Sequence, residues 1–588
     1  MSQERSSVVN HTPAIHEILK KSVDSEKQNE PPMGATQQSN NAQQKESAPS
    51  EQSGEHTDDP YRPETSKFWL ILICNFMCLL LVALDRTIIA TAIPRITDEF
   101  HSPGDIGWYG SSYMLASASS QLLFGRIYKF YNMKRVFLTS VVGFEIGSVI
   151  CGAAPTSGAF IAGRAIAGFA SSGIFSGCML IMISMVPLHK RPVFQGMFGA
   201  TFGIASVLGP LVGGAFTSNV TWRWCFYINL PIGAVSLLAI TLVWRPKKIH
   251  HDSVSIGAQF KRLDPLGMLF FVPSIICLLL ALQWGGSTYA WSNGRIIALF
   301  VVFAVLIVVF GIVQALKPDT ATIPARVITR RSILSASLFT FFSSAAMMMV
   351  IFYVPIWFQT VKLVNPVKSG IYTLPLVLSL VVAGIIGGFT TQKIGYYVPA
   401  MYASPAIMMI GLGLMSTFNL NTSSSRWVGY QFIAGFGLGL GMQIKGLVVQ
   451  RVLPPPDIPI GVALMFFLQQ LGGSVFTTVG QTILSNLLRS RLGGVQGIDA
   501  DLIASQGVTE LVKVVPEDDI VVVQWAYNYA CTRIFLVALG VTCAALISSF
   551  GMEWKSMKKG KNGQPEDVPG QREDGDAERA LGAGSPRQ

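Results

Sequence analysis

About fourteen apolar segments, each long enough to cross a bilayer, constrain this chain more than any other feature of its sequence. A hydrocarbon core about 30 Å thick needs roughly 20 helical residues to span it. Residues 68–89 and 296–316 reach that length with almost no charge. No soluble domain needs so many such stretches. The sequence therefore predicts an all-α integral membrane protein, whose function is work done inside or across a membrane.

Only 13% of the 588 residues are charged, against about 25% in soluble domains. The formal charge of +11 invites a nucleic-acid reading, but the placement of the cations argues against one. They sit in alternate short loops: Lys129, Lys134 and Arg135; Lys190 and Arg191; Arg245, Lys247, Lys248, Lys261 and Arg262; Lys317, Arg326, Arg330 and Arg331. The loops between hold few, such as Arg95 and Arg295. That asymmetry is the positive-inside pattern and places these loops and both termini in the cytoplasm. The eight cysteines lie in or beside apolar spans and contain no CxxC pair. They read as small hydrophobes rather than as a metal or disulfide set.

Spans are predicted near 68–89, 105–127, 134–154, 158–185, 192–216, 222–244 and 265–284. Seven more follow near 296–316, 333–357, 370–390, 398–418, 427–449, 460–484 and 528–552. Residues 1–66 and 556–588 are too polar to build a core and read as disordered cytoplasmic tails. No cleavable signal peptide is expected, since the first apolar run begins near residue 68. The long polar connection 486–525 falls outside, as does the Asn421-Thr-Ser acceptor for glycosylation. An internal echo links Gly125-Arg-Ile-Tyr-Lys-Phe-Tyr-Asn-Met-Lys-Arg135 to Gly388-Phe-Thr-Thr-Gln-Lys-Ile-Gly-Tyr-Tyr397, each read as a helix-ending glycine and a short polar loop. It matches spans 1–6 with spans 9–14. The division is then a six-helix half at 67–245, two inserted helices with their loops at 246–332, and a second six-helix half at 333–555. Two such halves with a path between them form a transporter plan.

Charges inside spans are costly and mark function. Asp85 and Arg86 lie late in the first span, Glu145 in the third, Arg164 in the fourth and Lys445 in the twelfth. Asp85 reads as a proton carrier, or else as a partner of Arg86 or a cap near the outer interface. Arg164, set among Gly163, Gly168, Ser171, Ser172 and Gly173, faces protein or a cavity rather than lipid. It either modulates a neighbouring acid as the helices rock, or forms a static ion pair with Glu145. In the fifth span Gly203, Gly209, Pro210, Gly213 and Gly214 make a smooth, bendable helix. Lys445 either snorkels to the interface or serves a cavity. Candidate cavity residues are Arg86, Gln121, Tyr353, Trp357, Gln359, Gln443, Lys445 and Gln469, each of which also suits helix packing. No G-x-x-x-x-G-K-[ST] phosphate loop accompanies them, and the histidines form no metal cluster. No cofactor or metal is expected.

Taken together these motifs resemble the major facilitator superfamily, in its fourteen-span drug:proton antiporter branch, over residues 68–552. LDRTIIATAIPRI resembles that branch's first-span motif, and its acid falls on Asp85. RAIAGFASSG resembles the fourth-span motif, with Arg164 as its arginine. GPLVGG resembles the fifth-span antiporter motif, and WRWCFYINLPIGA the lead-in to the sixth span. FYVPIWFQTV followed by SGIYTLPLVLS resembles the start of the second half. The wording is most similar to fungal efflux pumps for toxins, secondary metabolites and antifungals. The loop after the second span departs from the pattern. Lys129 stands where the family usually has Asp and Asn132 where it has Gly, so of the gating loop Gly125, Lys134 and Arg135 only the basic part remains. Ala205 also replaces a frequent Gly.

The resemblance implies a proton-coupled exporter of amphipathic small molecules that alternates access between its halves. It implies work as a monomer in the plasma membrane, with protons, substrate and lipid as partners and no nucleic acid. The alternative on the same fold is a proton-coupled importer or vacuolar carrier for siderophores or basic amino acids. A membrane sensor needs a signalling module in the tails, and an embedded enzyme needs clustered His or carboxylates at one depth. The sequence shows neither.

Overall fold

Lipid offers the backbone no hydrogen-bond partner, so each apolar segment closes its own bonds as a helix. The computed structural model describes residues 65–245, 256–286, 288–318, 320–442, 444–493 and 519–558. The expected tails before residue 65 and after 558, and loop residues 494–518, lie outside the described residues. Among the described residues fourteen helices carry the fold. The first six are α1 (Ser66–Phe100), α2 (Ile106–Phe130), α3 (Met133–Ala153), α4 (Ser157–Met185), α5 (Arg191–Asn219) and α6 (Asn229–Val243). A central pair follows, α7 (Pro265–Trp284) and α8 (Gly294–Leu316). The last six are α9 (Arg331–Val361), α10 (Leu374–Ile394), α11 (Val398–Met415), α12 (Ser424–Met442, continued by Ile444–Val452), α13 (Ile458–Leu492) and α14 (Ile520–Ser549). Among the described residues the only β pairing is two isolated bridges.

Among the described residues thirteen helical segments, α6 counted with the turn before it, are long and apolar enough to cross a membrane. The exception is α2, whose 25 residues include Ser112, Ser117, Ser119, Ser120, Gln121 and Arg126, all turned inward. Helices also outrun the apolar runs. The first was expected to end near residue 89, yet α1 continues through Pro94 to Phe100. Its polar end is held, because Glu99 accepts from Arg223 Nη2 at 2.7 Å and from Trp222 Nε1 at 2.6 Å. Asp85 therefore lies near the middle of α1, not at its outer end. The sixth span is broken, with a turn at Trp224–Tyr227 before α6.

The packing repeats between the first and last six helices. α3 packs on α4 as α11 on α12, α2 on α4 as α10 on α12, and α1 on α5 and α6 as α9 on α13 and α14. Across the divide α2 meets α13 and α5 meets α10. The central pair packs α7 on α8, and α7 against α2 and α13. The outer face of α8 exposes Val301, Val305 and Val308, as lipid requires.

The two echo glycines do not end their helices. Gly125 precedes the end of α2 by five residues and Gly388 precedes the end of α10 by six. Each is instead a point of close approach across the divide. A Cβ on Gly125 would lie 2.6 Å from Ala463 Cβ of α13, and one on Gly388 would lie 2.6 Å from the Pro192 carbonyl oxygen of α5. The repeat in sequence marks a repeat in interhelical contact.

Candidate functional site

The first element of the site is a buried ion pair. Arg164 of α4 donates from Nη1 to Asp85 Oδ2 of α1 at 2.5 Å, and each side chain is 1% exposed. Arg164 Nε donates to the Tyr109 carbonyl at 3.0 Å, and the guanidinium lies 4.4 Å from the centre of the Tyr113 ring. Asn229 of α6 donates to Asp85 Oδ1 at 3.5 Å and to Ser148 Oγ of α3 at 3.1 Å. Groups from five helices thus join one buried network, in which Arg164 and Asn229 touch the carboxylate directly. Two charges in so dry a place require each other, since removing one partner leaves the other uncompensated.

Glu145 of α3 lies in the same group of helices. Both of its carboxylate oxygens are buried with no hydrogen-bond partner. The carboxyl fills the space over Gly233 of α6, where any Cβ would collide with it. Sequence alone left open an Arg164–Glu145 pair, but Arg164 takes Asp85.

The antiporter-motif glycines of α5 seat that helix on α1. A Cβ on Gly209 would lie 2.7 Å from Thr87 Cβ, and one on Gly213 would lie 2.8 Å from Ile88 Cγ1. Thr87 Oγ1 donates to the Ala205 carbonyl at 3.0 Å. Gly203 meets Val381 of α10, whereas Gly214 faces open space. Pro210 is exposed on the far side of an unbroken helix.

Between the halves lies a mainly apolar cavity. Phe175 and Met179 of α4 and Phe198 and Phe202 of α5 line one side. Met442 and Lys445 of α12 and Met465, Phe466 and Gln469 of α13 line the other. A second lobe shares Met442, Lys445 and Gln469 and is walled by Thr340, Ser343 and Ser344 of α9. Lys445 Nζ donates to Gln469 Oε1 at 2.5 Å. Arg86 bridges the halves near Phe175, reaching Ser117 Oγ at 3.3 Å and Gln470 Oε1 at 3.1 Å.

Other expected cavity residues lie elsewhere. Gln121 bonds Ser176 between α2 and α4. Tyr353 donates to the Thr477 carbonyl, and Trp357 donates to Asn528 Oδ1, both fully buried in the second half. Gln359 is half-buried beyond them, and Gln443 lies outside the described residues. Asn421 is exposed between α11 and α12.

At the basic-loop end Lys129 does not stand idle in the place of the family's acid. Its Nζ donates to Asp457 Oδ1 at 2.7 Å, across the divide, and Arg326 holds the other oxygen at 3.1 Å. Burial disfavours the charge on Asp457, but hydrogen bonds from Arg326 and Lys129 outweigh it and hold the carboxyl below the usual carboxylate range. Lys134 instead caps the end of α6, donating to the Thr241 and Trp244 carbonyls, and Arg135 is exposed. Arg126, fully buried, donates to the carbonyls of Arg262 and Thr320 that flank the central helix pair. Asp264 ties the same pair together, accepting from Gln314, Thr322 and the Gly267 amide. Sequence reasoning missed Asp457, Asn229, Arg126 and Asp264. For Asp457 a signal existed, an isolated acid after Pro454-Pro455-Pro456 in a set of basic loops.

A multi-pass helical membrane protein, with two matched bundles enclosing a cavity and a buried ion pair, has the architecture of a secondary transporter. The Major Facilitator Superfamily model matches residues 76–316. The MFS-type efflux pump MFS1 of Arthroderma benhamiae is 50% identical over 500 residues, covering 84% of this chain and 93% of that one. The rubrofusarin-specific efflux pump aurT of Gibberella zeae is 47% identical over 501 residues, covering 85% and 92%. In fold, the chain is similar to the human organic anion transporter MFSD10 (TETRAN), with a TM-score of 0.52 at 15% identity, over 81% of this chain and 99% of that one. The chain belongs to the major facilitator superfamily.

Proposed function

We propose that this protein exports amphipathic organic molecules in exchange for protons, by rocking its two halves about the central cavity. The observation that carries this reading is the mid-helix group of Asp85, Arg164 and the unpartnered Glu145, beside a cavity between the halves. A group that exchanges Arg164 for a proton can switch Asp85 between two states, and a switch of that kind links proton release to helix motion. The relatives' names, efflux pumps, support the outward direction. The positive-inside pattern supports cytoplasmic termini, and a plasma-membrane location follows from export out of the cell. Asn421 would then face outward as a glycan acceptor.

The Lys129–Asp457–Arg326 cluster acts as the cytoplasmic latch between the halves. It uses the reverse charge order from the family's usual loop. A tenfold proton gradient supplies about 1.4 kcal/mol and each 100 mV about 2.3 kcal/mol per charge, so one proton per cycle sustains a concentration ratio of roughly a few hundredfold.

The test is transport in proteoliposomes under an imposed pH gradient, with fluorescent amphipathic drugs as cargo. Wild type is compared with Asp85→Asn and Glu145→Gln, each checked for a monodisperse folded state. Gradient-driven movement that falls to the level of empty vesicles in Asp85→Asn is the expected result. Undiminished driven movement in both variants would remove this group from the proton path.

A further inference from the structure

We infer that the central cavity selects an aromatic molecule carrying an ionised acidic oxygen, a carboxylate or phenolate, with Lys445 as its counter-charge. The inference rests on the transport reading above and specifies the substrate class of its cavity. Four phenylalanines wall the larger lobe, and Phe175 and Phe466 meet edge to face with centroids 4.9 Å apart. Such walls favour a flat ring over a branched aliphatic chain.

The polar equipment of the cavity has one sign. Lys445 faces both lobes, and Gln469 is the one hydrogen-bond partner of its ammonium among the described residues. An ammonium offers three donors, so two remain to be satisfied. Among the described residues no Asp or Glu lines either lobe. At the rim, Arg86 adds a second cation, its guanidinium 5.7 Å from the Phe175 ring centre. The acid beside it in sequence, Asp85, is committed to Arg164. A cation held in an apolar, low-dielectric cavity is costly until an anion joins it. A cationic cargo would instead set like charges together, which specific sites penalise strongly. The hydroxyls of Thr340, Ser343 and Ser344 line the second lobe beyond Lys445, where further oxygens of the ligand can be received.

The experiment is equilibrium binding to the purified full chain, without a gradient, using three tritiated probes of one ring system: 2-naphthoate, 2-naphthylmethanol and 2-naphthylmethylammonium. At neutral pH, wild type should bind naphthoate about tenfold or more tighter than the ammonium probe, with the alcohol between. Lys445→Met should erase the naphthoate advantage over the other two probes, and Lys445→Arg should keep it. The wild-type ordering decides the matter without any variant. Equal or tighter binding of the ammonium probe overturns the inference, as does an undiminished naphthoate preference in Lys445→Met or no binding of any probe. The measurement needs no proton flux, so antiport can fail in vesicles while this selectivity stands, and the reverse.

Discussion

At the residue scale, two acids a few helices apart play opposite energetic roles. Asp85 is matched to Arg164 with both groups buried. Asp85→Asn strands the guanidinium and should cost about 3–5 kcal/mol of stability, read as a lowered melting temperature in detergent. Glu145 has nothing to lose, since neither oxygen has a partner. Glu145→Gln should leave the melting temperature unchanged or raise it, while abolishing the proton dependence of transport. A drop as large as that of Asp85→Asn would reveal a partner for Glu145. Asp85, Glu145 and Arg164 were legible in the sequence because a charge in an apolar run is conspicuous. Which acid takes the arginine was not, because that depends on the rotation of three helices about their axes.

At the scale of elements, the glycines of α5 divide by face. Gly209 presses on Thr87, whereas Gly214 meets nothing. Gly209→Val should overpack the α1–α5 contact and cost about 1–3 kcal/mol, while Gly214→Ala should be neutral. Thermal unfolding of the two variants side by side checks the contrast, and equal effects would mean that the two faces are not distinct. The motif was visible as a string of small residues. Its division into a helix-facing and an open face was not, because a one-dimensional spacing carries no neighbour. The same limit applies to Tyr353 and Trp357. Aromatic side chains in a span suit a cavity or a core equally well until the partners Thr477 and Asn528 are in place.

At the scale of the whole molecule, the latch of Lys129, Asp457 and Arg326 joins segments more than 300 residues apart in the chain. Lys129→Asp places two acids together and should separate the halves at that end, read as a longer distance between spin labels on α2 and α13. Adding Asp457→Lys should restore part of the closure, held back by Arg326, which then faces a cation. Partial recovery is the expected outcome; none at all would deny the pair its role. The pH dependence has a definite sign. Because its partners lower the pKa of Asp457 in the closed state, the stabilisation is complete above the free carboxylate value of about 3.9 and is lost only as pH falls through the depressed one. The label distance should therefore stay constant between about pH 5 and 8.

Length, apolarity and loop charge determined by themselves that this chain is a multi-pass helical membrane protein, because a bilayer accepts little else. They also disclosed the family motifs and the few charges that lipid would not tolerate. Only the tertiary structure decided that Arg164 pairs with Asp85, that Lys129 finds Asp457, and that Gly125 and Gly388 are contacts rather than helix ends. Each of these is a relation between helices distant in sequence. It is set by how the helices rotate and approach, and the order of residues along one strand of chain does not encode that locally.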